Sequence, residues 1–473
     1  MRASPRRCGR SEEDPLALPE VLSGDTIAAI ATPAGAGGIG IVRLSGPQAG
    51  QVLRTLFRHS SRDPLQSPRR LCLGQVVDPA TGHAVDEVLA VYMPGPGTFT
   101  REPVVEIDTH GGGLVLREVL RLCLRAGARA AQPGEFTLRA FLNGRIDLAQ
   151  AEAVRDLVSA RTHLASRQAL AQLEGALSDR VRRTRGLLLD ARAGVEAAID
   201  FDETVDYDAV AELLHGAEDE LRALVKSARE GIRRREGLRV TIVGRPNVGK
   251  SSLLNSLLRN DRAIVTDIPG TTRDTLEESV DLAGLAITFV DTAGLGAEAG
   301  DDPVERLGRE RSWRALRGAD MALLVLDASR PLDDGDRAVA EGAASAPLML
   351  AVWNKIDLGP PREPGPLAGC PEVHVSALTG AGMERLEASI VSLALQGDRG
   401  EDEAPLTSER HLDAARRALE AASAAREGLA DGYRLDMAAE DLRGACRALG
   451  EITGESVDAD LLTRLFATFC VGK

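Results

Sequence analysis

The residues with the clearest chemistry lie at positions 244–252, where the sequence reads GRPNVGKSS. The apolar run at 238–243 predicts a strand in front of this segment, and leucines at helical spacing predict a helix behind it. A strand that leads through a glycine-rich loop into a helix cradles phosphate oxygens with backbone N–H groups. In this loop Lys250 would reach the β- and γ-phosphates of a nucleotide, and Ser251 would bind Mg²⁺.

Further segments follow later predicted strands and suit the same nucleotide. In the sequence DTAG, Asp291 would hold Mg²⁺ through water, and the Gly294 N–H would meet the γ-phosphate. In NKID, the acceptor-only carboxylate of Asp357 suits the adjacent N–H donors of guanine. This segment therefore selects GTP over ATP. The backbone of Ser376 and Ala377 would contact the guanine oxygen.

A segment at 266–274, with the sequence TDIPGTTRD, is predicted to be a switch in which Thr272 completes the Mg²⁺ shell. All five motifs, in their order along the chain, predict a GTPase. The residues predicted to contact GTP are Asn247, Val248, Gly249, Lys250, Ser251, Ser252, Thr266, Asp267, Ile268, Pro269, Gly270, Thr271, Thr272, Asp291, Thr292, Ala293, Gly294, Asn354, Lys355, Ile356, Asp357, Ser376, Ala377 and Leu378.

The residue that orients the attacking water differs from the usual one. Leu295 stands where many GTPases have a glutamine. Glu305 is the candidate replacement, although a carboxylate there also suits a solvated helix start. The predicted catalytic residues are Glu305, Lys250 and Thr272.

The composition sets limits on the function. Lysine and arginine minus acidic residues gives 57 − 71 = −14, which argues against a nonspecific nucleic-acid coat but leaves room for a local basic patch that meets RNA. No apolar run is long enough to cross a membrane, so no anchor is expected. The six cysteines form no C-x-x-C pair, which favours reduced thiols in the cytoplasm over a zinc site or disulfides.

The 473 residues predict about three domains, at roughly 150 residues each. Residues 1–24 are expected to be a disordered extension, and residues 25–143 an α+β domain with strands at 26–31, 39–44, 88–92 and 104–107 and a helix at 114–124. Residues 144–236 predict long helices, residues 237–397 an α/β domain with a mostly parallel sheet, and residues 398–473 a return to helices. The simplest arrangement is a helical domain interrupted by the α/β domain.

Three other features invite chemical interpretations. Residues 35–40 formally match G-x-G-x-x-G, but a strand follows instead of a helix, so we interpret them as a glycine turn. His110, in the sequence THGGG, is more often a structural residue than a ligand. Cys470 is either a buried apolar residue beneath Phe466 and Phe469, which the spacing favours, or a thiol with a lowered pKa.

Together the motifs resemble one family, the tRNA modification GTPases of the MnmE (TrmE) type. The resemblance covers residues 25–473. Beyond the GTPase motifs it includes ATP at 31–33, PGEFT at 133–137, RAFLN at 139–143, DLAQAEA at 147–153, EITGE at 451–455 and the terminal CVGK.

The resemblance implies a homodimer built through N-terminal tetrahydrofolate-binding domains, which forms a heterotetramer with the flavoprotein MnmG (GidA). Such a complex modifies C5 of the wobble uridine of certain tRNAs to (carboxymethyl)aminomethyluridine, with 5,10-methylene-tetrahydrofolate or 5-formyl-tetrahydrofolate as the bound folate. The matching folate positions are Arg43, Glu106, Arg145 and Lys473. Relatives carry lysine at the position of Arg145, which keeps the charge and changes its geometry.

The family's GTPase is stimulated by K⁺ in place of an arginine finger. The matching K⁺ ligands are Asn247, Thr266, Ile268 and Thr271, and Glu305 matches the water-orienting glutamate. The cation would stabilise charge on the leaving oxygens. A ribosome-assembly or signalling GTPase that acts as a binding switch is the alternative, since that class shares the GTPase motifs.

Overall fold

The computed structural model describes residues 24–201, 207–260, 277–291, 316–395, 405–430 and 435–472. These residues form two compact units, one from residues 24–155 and 450–472 and the other from residues 156–449. Among the helices in those ranges, none combines the length and the apolar character needed to cross a bilayer.

The first unit begins as a mixed α+β region. Its elements in chain order are β1 (Ile27–Ile30), β2 (Ile39–Ser45), α1 (Ala49–Leu56), β3 (Phe57–His59), β4 (Cys72–Val77), β5 (Ala84–Met93), β6 (Val104–His110), α2 (Gly113–Arg125), β7 (Arg129–Ala130) and α3 (Glu135–Leu142). The strands form one sheet in the order β3-β4-β5-β6-β2-β1-β7. Apolar residues of α1 and α2 pack on one face of this sheet and form a core with inward residues of β2 and β6.

The predicted strands and helix of this region are confirmed. Helix α2 is followed by Gly127, whose φ of +109° suits the end of a helix. The 35–40 segment turns into β2 without a helix, so the glycine-turn interpretation is also confirmed. Strand β4 was not predicted, because Gly74 interrupts its apolar pattern. A Cβ at Gly74 would lie 2.4 Å from the Arg58 carbonyl oxygen of β3, which is why glycine is needed there.

Long helices follow, as predicted: α4 (Leu148–Ser159), α5 (His163–Leu173), α6 (Ala176–Phe201) and α7 (Tyr207–Glu236). Leu170 and Leu177 lie at helical spacing in the sequence, but they belong to two separate helices, α5 and α6. The helix breaks at Gly175, which has a φ of +102°, and Leu170 is 45% exposed.

The second unit also contains the α/β region, with β8 (Leu238–Val243), α8 (Lys250–Asn260), β9 (Glu277–Leu282), β10 (Leu285–Asp291), β11 (Met321–Asp327), α9 (Asp334–Ala343), β12 (Leu348–Asn354), a 3₁₀ turn (Ile356–Leu358), β13 (Glu372–His374) and α10 (Met383–Ala394). The sheet order is β13-β12-β11-β8-β10-β9. All pairs are parallel except β9 with β10, which confirms the α/β prediction.

The chain then returns to helices with α11 (Glu409–Ala430), α12 (Leu435–Thr453) and α13 (Ala459–Phe466). Helix α11 packs against α7, as expected for two helical segments that flank an inserted domain. Arginines at the end of α7 connect the point where the chain enters the α/β region to the point where it leaves that region. Arg233 donates to the Ala394 carbonyl at the end of α10. Arg235 donates to the Thr407 carbonyl at 2.9 Å and pairs with Asp156 at 2.9 Å.

The last residues of the chain pack into the first unit. Phe466 is fully buried, and the Gly134 N–H donates to the Cys470 carbonyl at 3.3 Å. Gly472 has a φ of +93°, and a Cβ there would lie 2.5 Å from the Ile30 carbonyl oxygen. Close backbone packing therefore requires glycine at Gly134, in the motif PGEFT, and at Gly472, in the motif CVGK.

Candidate functional site

The glycine-rich loop lies at the carboxyl end of β8, the edge at which the parallel strands β10, β11 and β12 also end. Lys250 Nζ donates to the carbonyl oxygens of Gly244 at 2.9 Å and Arg245 at 2.8 Å. Gly249 has a φ of +98°, and a Cβ there would lie 2.2 Å from Asn354 Nδ2. The loop therefore has the backbone exposure and the missing side chain that a phosphate cradle requires.

Asn354 connects the phosphate loop to the loop after β13. It is buried, its Nδ2 donates to the Val248 carbonyl at 2.9 Å, and its Oδ1 accepts from the Ala377 N–H at 3.0 Å. One amide side chain thus holds both loops in a fixed relation. The Ala377 N–H is therefore used inside the protein, and its neighbour Leu378 is exposed.

Lys355 has a φ of +66°, and its side chain connects the phosphate loop to the end of β11. Its Nζ donates to the Asn247 carbonyl at 2.7 Å and pairs with Asp327 at 2.6 Å. Burial alone would raise the pKa of Asp327, but hydrogen bonds from Lys355 and Ser329 outweigh it and hold that pKa below its usual range. Asp327 was not predicted, although an aspartate at the end of the apolar strand MALLVLD was a usable signal.

Asp357 lies in the 3₁₀ turn and is exposed at the same edge of the sheet. The Ser376 hydroxyl donates to its Oδ1 and accepts from the Thr379 N–H at 3.2 Å. This arrangement orients the carboxylate toward solvent. An oriented, acceptor-only carboxylate suits the paired N–H donors of guanine.

A second residue that the sequence did not predict is Arg245, inside the phosphate loop. Its guanidinium donates to Asp333, the N-cap of α9. Asp333 also pairs with Arg330 at 3.1 Å, and Arg330 donates to the buried Asp336 at 3.0 Å. This network ties the loop to α9. An arginine at a variable position of the glycine-rich motif was the only sequence signal for it.

The remaining predicted nucleotide residues divide into two groups. Ser251 and Ser252 are exposed in the first turn of α8, and Ile356 is half-buried in the 3₁₀ turn. Asp291 ends β10. The predicted residues that lie outside the described ranges are Thr266, Asp267, Ile268, Pro269, Gly270, Thr271, Thr272, Thr292, Ala293, Gly294, Glu305 and Lys473.

A polar site lies on the sheet face of the first unit that α1 and α2 leave uncovered. Arg43 and Glu106 are cross-strand partners, with Arg43 Nε 2.7 Å from Glu106 Oε1. Arg43 Nη1 also donates to the Gly472 carbonyl at 3.2 Å, and its guanidinium lies 5.9 Å from the Phe136 ring centre. The structure thus joins two predicted folate residues to the C-terminal tail. The third, Arg145, is exposed in the turn after α3.

Strand β6, which carries Glu106, has two further titratable residues near its end, Asp108 and His110. Burial raises the pKa of the Asp108 carboxyl, and the negative charge of Glu106 raises it further. His110 is exposed, with its Nδ1 2.7 Å from Asp86 Oδ1 and its backbone N–H donating to Asp86 Oδ2 at 2.8 Å. The interpretation of His110 as a structural residue stays a prediction.

The motifs PGEFT and RAFLN provide a buried ion network. Arg139 is 2% exposed and pairs with the fully buried Glu135 at 3.0 Å and with Glu102 at 3.1 Å. It also pairs with Asp25, while Arg129 pairs with Glu135 at 2.6 Å. Every charged group here has a partner of opposite sign, so removal of one partner would leave a buried charge uncompensated.

The preferred interpretation of Cys470 is wrong. Phe466 and Phe469 are buried and their rings lie 5.1 Å apart, but the Cys470 side chain is exposed. The tail turns after Phe469 so that Gly472 can reach Ile30, and this turn directs Cys470 outward.

Comparisons with known proteins cover nearly the whole chain. The family model of the MnmE helical domain matches residues 148–470, and that of the GTP-binding protein TrmE N-terminus matches residues 26–145. A tRNA modification GTPase MnmE from Roseiflexus sp. (strain RS-1) is 49% identical over 466 residues, which cover 96% of this chain and 100% of the relative. That of Chloroflexus aurantiacus is 48% identical over 455 residues, with 95% and 100% covered. The chain belongs to the MnmE family of tRNA modification GTPases.

Membership in the MnmE family makes the chain a GTP hydrolase and confirms the resemblance identified from its motifs. A relative from Alkaliphilus metalliredigens, 45% identical over 460 residues, also spans 95% of this chain and 99% of its own length.

Proposed function

We propose that this chain is a K⁺-dependent GTPase that modifies C5 of the wobble uridine in certain tRNAs, together with the flavoprotein MnmG. The proposal rests on identity to tRNA modification GTPases along nearly the whole chain. The homodimer, the heterotetramer with MnmG and the cytoplasmic location belong to the same proposal. The modified base would carry an aminomethyl or carboxymethylaminomethyl group, with its carbon supplied by 5,10-methylene-tetrahydrofolate.

The phosphate cradle fits GTP. The position of Gly249 admits no Cβ, and Lys250 lies at the loop beside the exposed Ser251. We assign Ser251 and Thr272 to Mg²⁺ and Lys250 to the β- and γ-phosphates. GTP bound there supplies the phosphoryl group that passes to water. Glu305 would hold that water by accepting its proton in a hydrogen bond.

The described part of the proposed K⁺ site also fits its ion. Asn247 is exposed at the loop tip with a φ of +64°, and Lys355 fixes its backbone carbonyl. An exposed amide oxygen is a suitable ligand for a hard monovalent cation. Thr266, Ile268 and Thr271 would complete the coordination.

The polar site of the first unit suits a folate. The Arg43 guanidinium can pair with a carboxylate, and the acceptor-only Glu106 carboxylate can receive the N–H donors of a pterin ring. We therefore propose Arg43, Glu106, Arg145 and Lys473 as the residues that bind 5-formyl- or 5,10-methylene-tetrahydrofolate. Arg43 and Glu106 orient the cofactor by hydrogen bonds.

Two experiments test the proposal. Nucleosides of tRNA from cells that lack the protein should lose the modified wobble uridine, and an unchanged profile would support the binding-switch alternative. GTP turnover at equal ionic strength should be much faster in KCl than in NaCl. Asn247→Ala should remove that difference, whereas Asn143→Ala, in the first unit, should keep it. Equal rates in the two salts for the natural protein would contradict the K⁺ proposal.

A further inference from the structure

One short region departs from the acidic character of the chain. Residues 49–70 contain five arginines and one aspartate, so they carry 5 − 1 = +4 in a chain of net −14. The region begins with α1, continues through β3 and ends in the loop before β4. None of the proposed nucleotide or folate residues lies within it.

Two of these arginines, Arg54 and Arg58, line a cleft of about 310 Å³ together with His59 and Asp63, among others. We call this feature the basic cleft and count Arg62 and Arg70 at its loop as part of it. The Ser60 N–H donates to the Leu73 carbonyl at 3.1 Å, so the two ends of the loop lie side by side.

The arginines of the basic cleft are exposed and have no carboxylate partner within the described residues. Some exposed arginines elsewhere in the chain are paired instead. Arg182 pairs with Asp179 at 3.1 Å, Arg417 with Asp413 at 2.8 Å and Arg443 with Glu440 at 2.8 Å. The basic cleft thus presents positive charge that the protein leaves unneutralised.

Only one of these arginines has a clear structural role. Arg58 Nη1 lies 3.3 Å from the carbonyls of Thr55 and Phe57, where a cation stabilises the end of α1. Arg54 touches only the Gln51 side chain, at 3.4 Å, and within the described ranges Arg62 and Arg70 make no side-chain hydrogen bond. Their charges are free to meet a ligand.

We propose that the basic cleft binds the phosphate backbone of RNA, and specifically of the tRNA that the enzyme modifies. The identity of the RNA rests on the proposed function. Arginine forks match phosphate oxygens, and several such contacts provide affinity without sequence information. Leu53 and Phe57 are buried, so the cleft lacks the exposed apolar centre typical of a protein partner. It holds the tRNA by its backbone, which leaves the bases accessible elsewhere.

The test is binding of a fluorescently labelled, unmodified tRNA to the full-length protein, by anisotropy, over a range of KCl concentrations. The variant combines Arg54→Gln, Arg62→Gln and Arg70→Gln and leaves Arg58 in place. The control combines Arg182→Gln, Arg417→Gln and Arg443→Gln, which removes the same charge from arginines that are already paired. We expect the first variant to weaken binding more than about tenfold at 0.1 M salt and to reduce the salt slope by about one per arginine.

The control should leave the affinity and the slope nearly unchanged. Equal weakening by both variants, or no weakening by either, would overturn the proposal. Poly-glutamate that displaces the tRNA as well as unlabelled tRNA does would instead indicate an acidic protein partner. GTP turnover and thermal unfolding of both variants should match the natural protein. The binding, turnover and unfolding assays do not depend on wobble-uridine chemistry. An unchanged nucleoside profile in cells that lack the protein would therefore reject the proposed function separately from this proposal.

Discussion

Motif residues form two regions that use their polar groups differently. One is the sheet edge of the second unit that carries the phosphate loop, here called the nucleotide edge, and the other is the ion network of the first unit. At the nucleotide edge, side chains such as Asn354 and Lys355 bond to backbone carbonyls, and Asp357 and Asn247 stay exposed. In the first unit, Arg139 and Glu135 are buried and pair with each other. The nucleotide edge thus leaves some of its polar groups accessible to a ligand, whereas the ion network uses its charged groups inside the protein.

The largest expected effect comes from replacing Arg139, the residue at the centre of the ion network. Arg139→Met leaves the buried Glu135 with fewer partners, and we expect a loss of about 3–5 kcal/mol in stability. Thermal unfolding should show a lower midpoint, while GTP turnover well below that temperature stays unchanged. The control is Arg117→Gln, because Arg117 is exposed and unpaired among the described residues. A midpoint equal to the control would mean that the network does not stabilise the unit.

The second effect should appear in function and not in stability. In Gly249→Ala the new Cβ would lie 2.2 Å from Asn354 Nδ2, in a backbone conformation unfavourable to alanine. We expect kcat/KM for GTP to fall about 100-fold, or roughly 2.7 kcal/mol. The matched control is Gly186→Ala in α6, where a Cβ meets nothing within 4 Å. Unimpaired hydrolysis by the Gly249 variant would show that the loop can move aside.

The third effect is the counterpart of the second in the first unit. Gly472→Ala places a Cβ 2.5 Å from the Ile30 carbonyl, so the tail should dissociate at a cost of about 1–3 kcal/mol. Limited digestion with carboxypeptidase should then remove the tail faster than in the natural protein, with GTP turnover unaffected. Gly444→Ala in α12, which has open space around it, serves as the control. An equally resistant tail would contradict the tight packing.

The smallest expected effect is on the dependence of stability on pH. Burial alone would raise the pKa of Asp25, but hydrogen bonds from Arg129 and Arg139 outweigh it and hold that pKa below its usual range. A carboxyl whose pKa is lower in the folded state stabilises the protein above its unfolded pKa and loses that contribution as the pH falls through the folded value. Thermal midpoints should therefore decline below about pH 4. Asp25→Asn should have a lower midpoint at pH 6 and approach the natural protein at low pH, whereas a constant difference would refute the assignment.

Much of the fold and of the nucleotide edge could be predicted from the sequence. Continuous apolar strands and glycine-rich turns are local patterns, which is why β8 and its loop were placed correctly. The contacts of Arg245 with Asp333 and of Asp327 with Lys355 could not be predicted, because the partners belong to different elements. The exposure of Cys470 was missed for a related reason, since it follows from the contact of Gly472 with Ile30.

The bonds made by Arg233 and Arg235 have a consequence for protein engineering. They bring the end of α7 beside the Ala394 and Thr407 carbonyls, so the chain leaves the helical bundle and re-enters it at neighbouring points. A segment with adjacent ends behaves as a cassette. Residues 238–404 could be replaced by a short glycine linker without opening the bundle, and the remaining chain should fold and keep the Arg43–Glu106 pair while it loses GTP hydrolysis.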